Sequence, residues 1–228
     1  MSNRCLQWWL VGVMFLVVSL GASMNACGFG GDSWKEEVLL HDGNTLTINR
    51  LQTYDGRHEL DQSPPIKAHT ITFTLPGSPN IVKWTSEYGE DIGRTNFNLL
   101  ALHVLNGTPY IVAGPNLSLS YKKWGSPNPP YVFFKYDSKG WHRIAIEEFP
   151  AEFKNLNVTI DTRTYAKQLA GQGFTSAVVV KNLNSNLTQE EYKSIVRTSL
   201  DKWKPRPEHK GPKAPNPIAP PATKDDTK

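Results

Sequence analysis

The sequence predicts a mainly β domain in which antiparallel hairpins form a sandwich or an open barrel, with one helix docked near the C-terminal end. Three observations favour this fold class. Stretches of alternating apolar and polar residues recur around turn-forming dipeptides. Only one later segment has strong helical periodicity. The 228 residues are 39% hydrophobic and 11% aromatic, which is enough to build the core of one domain. We therefore place a single β-rich domain at residues 34–203.

Four hairpins are predicted from turn chemistry between alternating segments. The third is the clearest, because Leu99 to Leu105 leads into Asn106-Gly107, a dipeptide that accepts the positive φ angles of a type I′ turn. Pro109 lacks an N–H and is expected at an edge or a bulge. The other three turns are expected at residues 41–44, 76–80 and 137–140. Their spacing favours an antiparallel sheet folded on itself.

The region after residue 150 ends in the strongest helix signal of the chain. Residues 157–160 favour a strand, and residues 174–180 favour a strand or a short helix. A helix is then predicted near residues 188–203, because Thr188 and Glu191 form a capping box. Its apolar positions recur at helical spacing: Tyr192, Ile195, Val196, Leu200 and Trp203.

Residues 204–228 are predicted to be a disordered tail. This stretch contains seven prolines and six lysines or arginines, and it has no periodic apolar face to bury. The proline at position 205 ends the predicted helix.

Residues 1–26 are interpreted as a signal peptide. A basic start with Arg4 precedes an apolar run of about 11 residues, too short for the ~20 that cross a bilayer. An uncleaved membrane anchor is the alternative. Met24-Asn25-Ala26-Cys27 resembles the bacterial lipobox, so Cys27 is predicted to be lipidated and residues 27–33 to form a flexible tether. Cys5 lies in the removed segment, which leaves the domain without a disulfide or a thiol nucleophile.

Four segments resemble a family of uncharacterised exported lipoproteins from Gram-negative bacteria. They are residues 34–43, 71–77, 99–112 and 129–137. The third contains the distinctive sequence Leu-Asn-Gly-Thr-Pro-Tyr-Ile-Val. The resemblance covers roughly residues 34–155. It implies anchoring to the cell envelope, at the outer membrane facing the periplasm. The family has no assigned activity, so the resemblance does not predict a reaction.

The charge distribution argues against specific nucleic-acid binding. The formal net charge is +4, but residues 27–203 contain 18 basic and 18 acidic side chains. The excess lies in Arg4 and in the tail. The predicted partners are therefore the membrane, through a lipid anchor, and an envelope protein or glycan.

No catalytic residue, metal ligand or cofactor is predicted. The hydrolase, P-loop and dinucleotide-binding motifs are absent from the sequence. Five histidines are scattered without ligand spacing: His41, His58, His69, His103 and His142. Five carboxylates could serve acid–base chemistry but are more typical of solvated charge: Glu87, Glu90, Asp91, Glu147 and Glu148.

One stretch combines aromatic rings with cations, a combination that suits glycan or peptide ligands. The candidate binding surface consists of Tyr121, Lys122, Lys123, Trp124, Phe133 and Arg143. Alternation predicts that the aromatic members of this set are exposed, while Phe134, Tyr136 and Trp141 face the core. The alternative is that the rings of this stretch are simply core residues.

Three hypotheses on function follow. The first is a non-catalytic binding or structural lipoprotein of the envelope. The second is an immunity-type inhibitor of an envelope-acting toxin or enzyme. The third is an envelope-glycan hydrolase whose site carries no known motif.

Overall fold

The first sheet is built from the first two predicted hairpins. The computed structural model describes residues 30–56, 58, 60 and 62–207, so the predicted signal peptide, Cys27 and the tail beyond residue 207 lie outside the described residues. Sheet 1 has the strand order β11-β1-β2-β3-β4, antiparallel except for the β11–β1 pair. Its strands are β1 (Gly31–Leu39), β2 (Thr45–Tyr54), β3 (Ile66–Thr74), β4 (Ile81–Thr85) and β11 (Phe174–Thr175).

The second sheet is built from the other two hairpins. Sheet 2 has the antiparallel order β10-β9-β8-β7, and a separate two-stranded hairpin, β5–β6, precedes it. The bounds are β5 (Tyr88–Gly89), β6 (Arg94–Thr95), β7 (Phe97–Leu105), β8 (Thr108–Pro115), β9 (Val132–Asp137) and β10 (Gly140–Ile144).

All four predicted hairpin turns are confirmed. Asn106 and Gly107 have φ angles of 51° and 74°, as a type I′ turn requires. Pro109 lies opposite Val104 of β7, one residue outside the paired part of β8 and β9, which begins at Tyr110. Its missing N–H therefore does not interrupt the hydrogen-bonded pairing of β8 with β7 or with β9.

The two sheets pack against each other over a common apolar core, so the prediction of a mainly β, sandwich-like fold is confirmed. In the described part of the chain neither sheet closes into a barrel. The alternating inner residues of sheet 1, such as Ile48, Ile71 and Phe73, meet Phe97 and Ile111 of sheet 2. A half-buried Trp141 joins the sheets at one edge, because its Nε1 donates to the carbonyl oxygen of Lys83 in β4 (2.8 Å).

Sheet 2 is covered on both faces. A second cluster of buried residues lies on the face turned away from sheet 1, and includes Tyr110, Phe133 and Phe149. Asn157 covers the free edge of β7 through two hydrogen bonds: the N–H of Leu102 donates to its Oδ1 (2.9 Å), and its Nδ2 donates to the Leu102 carbonyl oxygen (2.7 Å). The side chains in the middle of sheet 2 are therefore buried on both of its faces.

Three α-helices lie in the described part of the chain: α1 (Leu117–Lys123), α2 (Thr162–Gln172) and α3 (Ala177–Asn184). Asp161 caps α2 by accepting from the N–H of Thr164, and Ser176 caps α3 in the same way from Val179. Helix α2 packs its apolar side on Trp34 of β1. The predicted strand at residues 157–160 is absent, since this segment uses its polar groups to bridge other elements.

The predicted helix at residues 188–203 is wrong. Only a short 3₁₀ turn forms there, Glu190–Tyr192, and residues 193–203 have no regular structure. We call residues 190–203 the C-terminal strap, because they run over the outer face of sheet 2 and are fixed there by Asn128 and Tyr131. These tertiary hydrogen bonds to the backbone replace the ones that a helix would make within itself.

Candidate functional site

The structure brings five of the six predicted surface residues together and excludes Phe133. Tyr121, Lys122 and Lys123 lie on the last turns of α1, Trp124 is its C-cap, and Arg143 of β10 reaches across to it. We call Tyr121, Lys122, Lys123, Trp124 and Arg143 the aromatic-cationic surface.

The prediction that Phe133 is exposed is wrong. Its side chain is 5% exposed and packs against Phe149, with ring centroids 4.6 Å apart. Phe134, which points the other way, meets Phe97 at 5.5 Å in the core between the sheets. Alternation separates the two faces correctly, but the face of Phe133 is covered by residues 146–160 and by the strap.

Trp124 is half-buried rather than exposed. One side of its ring packs on Phe97 at 4.5 Å, and the guanidinium of Arg143 lies over the ring at 5.8 Å. Arg143 Nη2 also points to the Trp124 carbonyl oxygen at 3.5 Å. The cation–π contact holds the arginine in place, so its charge is presented at a fixed position on the surface.

Tyr121 is partly covered by Trp203, which the sequence pattern placed on the apolar face of the predicted helix at residues 188–203. The ring of Trp203, from the end of the strap, lies 4.7 Å from the Tyr121 ring. Trp203 Nε1 donates to Glu191 Oε1 (2.8 Å), which fixes the indole. Burial raises the pKa of the Tyr121 phenol, so the hydroxyl stays neutral and can both donate and accept.

The two lysines have different surroundings. Lys123 Nζ lies 3.7 Å from Glu87 Oε1 and 3.6 Å from Asp91 Oδ1, so its charge is offset locally. Lys122 is exposed, and no ion pair is recorded for it among the described residues. Lys122 and Arg143 are therefore the cations of this surface that are open to an acidic or hydroxyl-rich partner. A shallow depression of about 160 Å³ lies beside Arg143, between residues 127–133 and 143–146.

Two of the predicted histidines, His69 and His103, are buried in the core. No group of three or more His, Cys, Asp or Glu with metal-binding geometry occurs in the described residues. Burial, together with the charge of Arg50, lowers the pKa of His69 to about 3. Burial likewise lowers the pKa of His103 to about 4, and this ring stacks on Phe153 at 4.5 Å. Both imidazoles are neutral packing residues.

The predicted carboxylates lie in separate groups rather than around one site. Glu147 and Glu148 lie on a 3₁₀ turn, where Glu148 Oε1 accepts from the backbone N–H of Ala145 (3.2 Å). Glu87 and Asp91 flank Lys123 on the other side of α1. Glu148 therefore caps the 3₁₀ turn, whereas Glu87 and Asp91 pair with Lys123.

A buried ion pair was missed in the sequence. Glu36 and Arg50 are 0% and 2% exposed and lie on the inner face of sheet 1. Arg50 Nη1 donates to both oxygens of Glu36 (3.1 and 3.2 Å) and to the carbonyl oxygen of Thr159 (2.9 Å). The alternation of β1 contains the signal, because it places Glu36 on the same face as Trp34 and Val38. The pair joins sheet 1 to the segment before α2.

No family model, curated protein or solved structure matches this chain. Within the described residues, no helix is both long and apolar enough to cross a membrane.

Proposed function

We propose that this chain is an exported lipoprotein, anchored to the cell envelope through Cys27, whose β domain binds an envelope protein or glycan without catalysing a reaction. The observation that carries the binding role is the aromatic-cationic surface, where the guanidinium of Arg143 lies over the ring of Trp124 and Lys122 is exposed on the same helix as Tyr121. Cations near aromatic faces suit carboxylate-bearing or hydroxyl-rich partners.

The engagement of the reactive side chains supports a non-catalytic role. A general acid or base needs access to substrate, but His69 and His103 are 3% and 1% exposed and the pair of Glu36 and Arg50 is sealed in the sheet. These groups stabilise the fold.

The anchor is tested by Cys27→Ala. The wild-type protein should incorporate labelled palmitate and fractionate with membranes, and the variant should do neither. A wild-type protein that stays in the membrane fraction without label would overturn the lipid anchor and favour the uncleaved membrane anchor.

The binding surface is tested by a photo-reactive residue placed at position 122 in living cells. The matched control is position 35, an exposed lysine on the outer face of sheet 1. Adducts are expected at position 122 and not at 35, and Arg143→Ala should reduce their yield. Digestion with a glycan hydrolase or a protease then identifies the class of partner. Equal yields at the two positions would rule out this surface.

A further inference from the structure

The strap has a conformation that its own sequence opposes. Residues 188–203 contain a capping box, and their apolar residues recur at helical spacing, yet residues 193–203 have no regular structure in the protein. Natural sequences are consistent from the local to the global level, and the exceptions concentrate at functional sites. The strap is such an exception.

The strap is fixed by contacts to its backbone and by the side chain of Arg197, which donates to the carbonyl oxygens of Phe149 (3.1 Å) and Pro150. The hydroxyl of Tyr131 donates to the carbonyl oxygens of Glu191 (2.8 Å) and Ser194 (3.1 Å). Asn128 accepts from the N–H of Leu200 (2.8 Å) and donates to its carbonyl oxygen (3.4 Å). Within the strap only Ile195 is fully buried. A segment with so little buried side-chain surface opens at low free-energy cost compared with the sheets.

As a helix, the same residues would be amphipathic. One face would contain Ile195, Val196 and Leu200, with aromatic rings near both ends at Tyr192 and Trp203. Residues 188–203 contain three basic and three acidic side chains, and Lys193 and Lys202 would flank the two edges of the apolar face. An apolar face with aromatic residues and lysines along its edges is typical of helices that lie in the interface of a bilayer.

We propose that the strap is displaceable. It leaves sheet 2 and, together with residues 188 and 189, folds into an amphipathic helix on an anionic lipid surface. The partner is an anionic bilayer because the helix itself is neutral and the basic residues at positions 204 and 206, directly after it, supply an excess of positive charge next to the apolar face. Release also separates Trp203 from Tyr121, so membrane contact uncovers one ring of the aromatic-cationic surface. The inference rests on the proposed function only for the presence of a membrane nearby.

The test uses the chain from Gly28 to Lys228, made without a lipid, so that its outcome is independent of Cys27. Binding to vesicles of phosphatidylglycerol and phosphatidylethanolamine is measured by sedimentation, and helix content by far-ultraviolet circular dichroism. The variant Asn128→Ala/Tyr131→Phe removes the side-chain groups that hydrogen-bond to the strap backbone, and it leaves the contacts of Arg197 and Ile195 in place. It should bind at least tenfold tighter than the wild type and gain helical signal on binding.

The matched control adds Thr198→Gly/Ser199→Gly to that variant. Both positions are exposed in the strap, and glycine disfavours a helix there, so binding should return to the wild-type level. Thermal melts check folding. Asn128→Ala alone, at an exposed position, carries the test if the double variant does not fold. The proposal is overturned if loosening the strap leaves vesicle affinity unchanged, if binding adds no helix, or if the glycine variant binds equally well. None of these results bears on palmitate labelling of Cys27.

Discussion

Replacing Arg50 by methionine should destabilise the domain far more than loss of one hydrogen-bonding side chain usually does. The substitution keeps an unbranched side chain in the space between Trp34 and Thr159 and removes the charge. Glu36 then retains two neutral donors, Trp34 Nε1 (2.9 Å) and the backbone N–H of Thr159 (2.8 Å). Its negative charge loses its counterion while the carboxylate stays fully buried.

The magnitude follows from the burial. Breaking a buried ion pair by removing one partner costs about 3–5 kcal/mol, because an uncompensated charge is left in a low-dielectric site. For a domain of 150–250 residues each kcal/mol lowers Tm by about 2–4 °C. We expect Tm to fall by roughly 6–20 °C.

A double-substitution cycle separates charge from packing. Urea unfolding of Arg50→Met, Glu36→Gln and the combined variant gives the coupling free energy directly. The combined variant should recover at least about 1 kcal/mol relative to Arg50→Met, since a neutral amide replaces the unpaired charge. If the combined variant is no more stable than Arg50→Met, the loss comes from the packing of the guanidinium on Trp34, and the electrostatic reasoning is wrong.

Three further predictions test the packing, the acid response and the tail. Phe133→Ala should cost about 3–5 kcal/mol in urea melts and Trp124→Ala clearly less, because its ring is only half-buried; equal losses would contradict the assignment of faces. The pKa of His69 is lowered from 6.5 to about 3 in the fold, so between these pH values the unfolded chain binds a proton that the folded chain does not. The free energy of unfolding should therefore fall as the pH is lowered from 6.5 towards 3, by up to about 1.4 kcal/mol per pH unit, and His69→Gln should flatten this slope; an unchanged slope would assign it to other groups. Removing residues 205–228 should change the free energy of unfolding by less than about 0.5 kcal/mol, and a larger loss in thermal or urea melts would show that the tail packs on the domain.

The hairpins could be predicted from the sequence because their determinants are local. Asn106-Gly107 sets the φ angles of its own turn, and alternation from Thr70 to Leu75 fixes which side chains share a face of β3. The same local rules separate Phe133 from Phe134 correctly. The apolar run of residues 99–102 in β7 is typical of a strand that is buried on both faces, so the sequence also indicates that sheet 2 is covered on both sides.

What covers each face was decided only by the tertiary structure. Phe133 became a core residue because residues 146–160 and the strap lie on it, and alternation cannot distinguish solvent from a third layer. Residues 188–203 have the local pattern of a helix, but Asn128 and Tyr131 supply backbone partners that a local rule cannot include. Helix propensity amounts to tenths of a kcal/mol per residue, so a few tertiary hydrogen bonds and one buried Ile195 can override it. The sequence by itself determined the hairpins, their inner faces and the neutral charge of the domain, since these depend on neighbours in the chain, whereas the open surface and the course of the strap depend on contacts between distant segments.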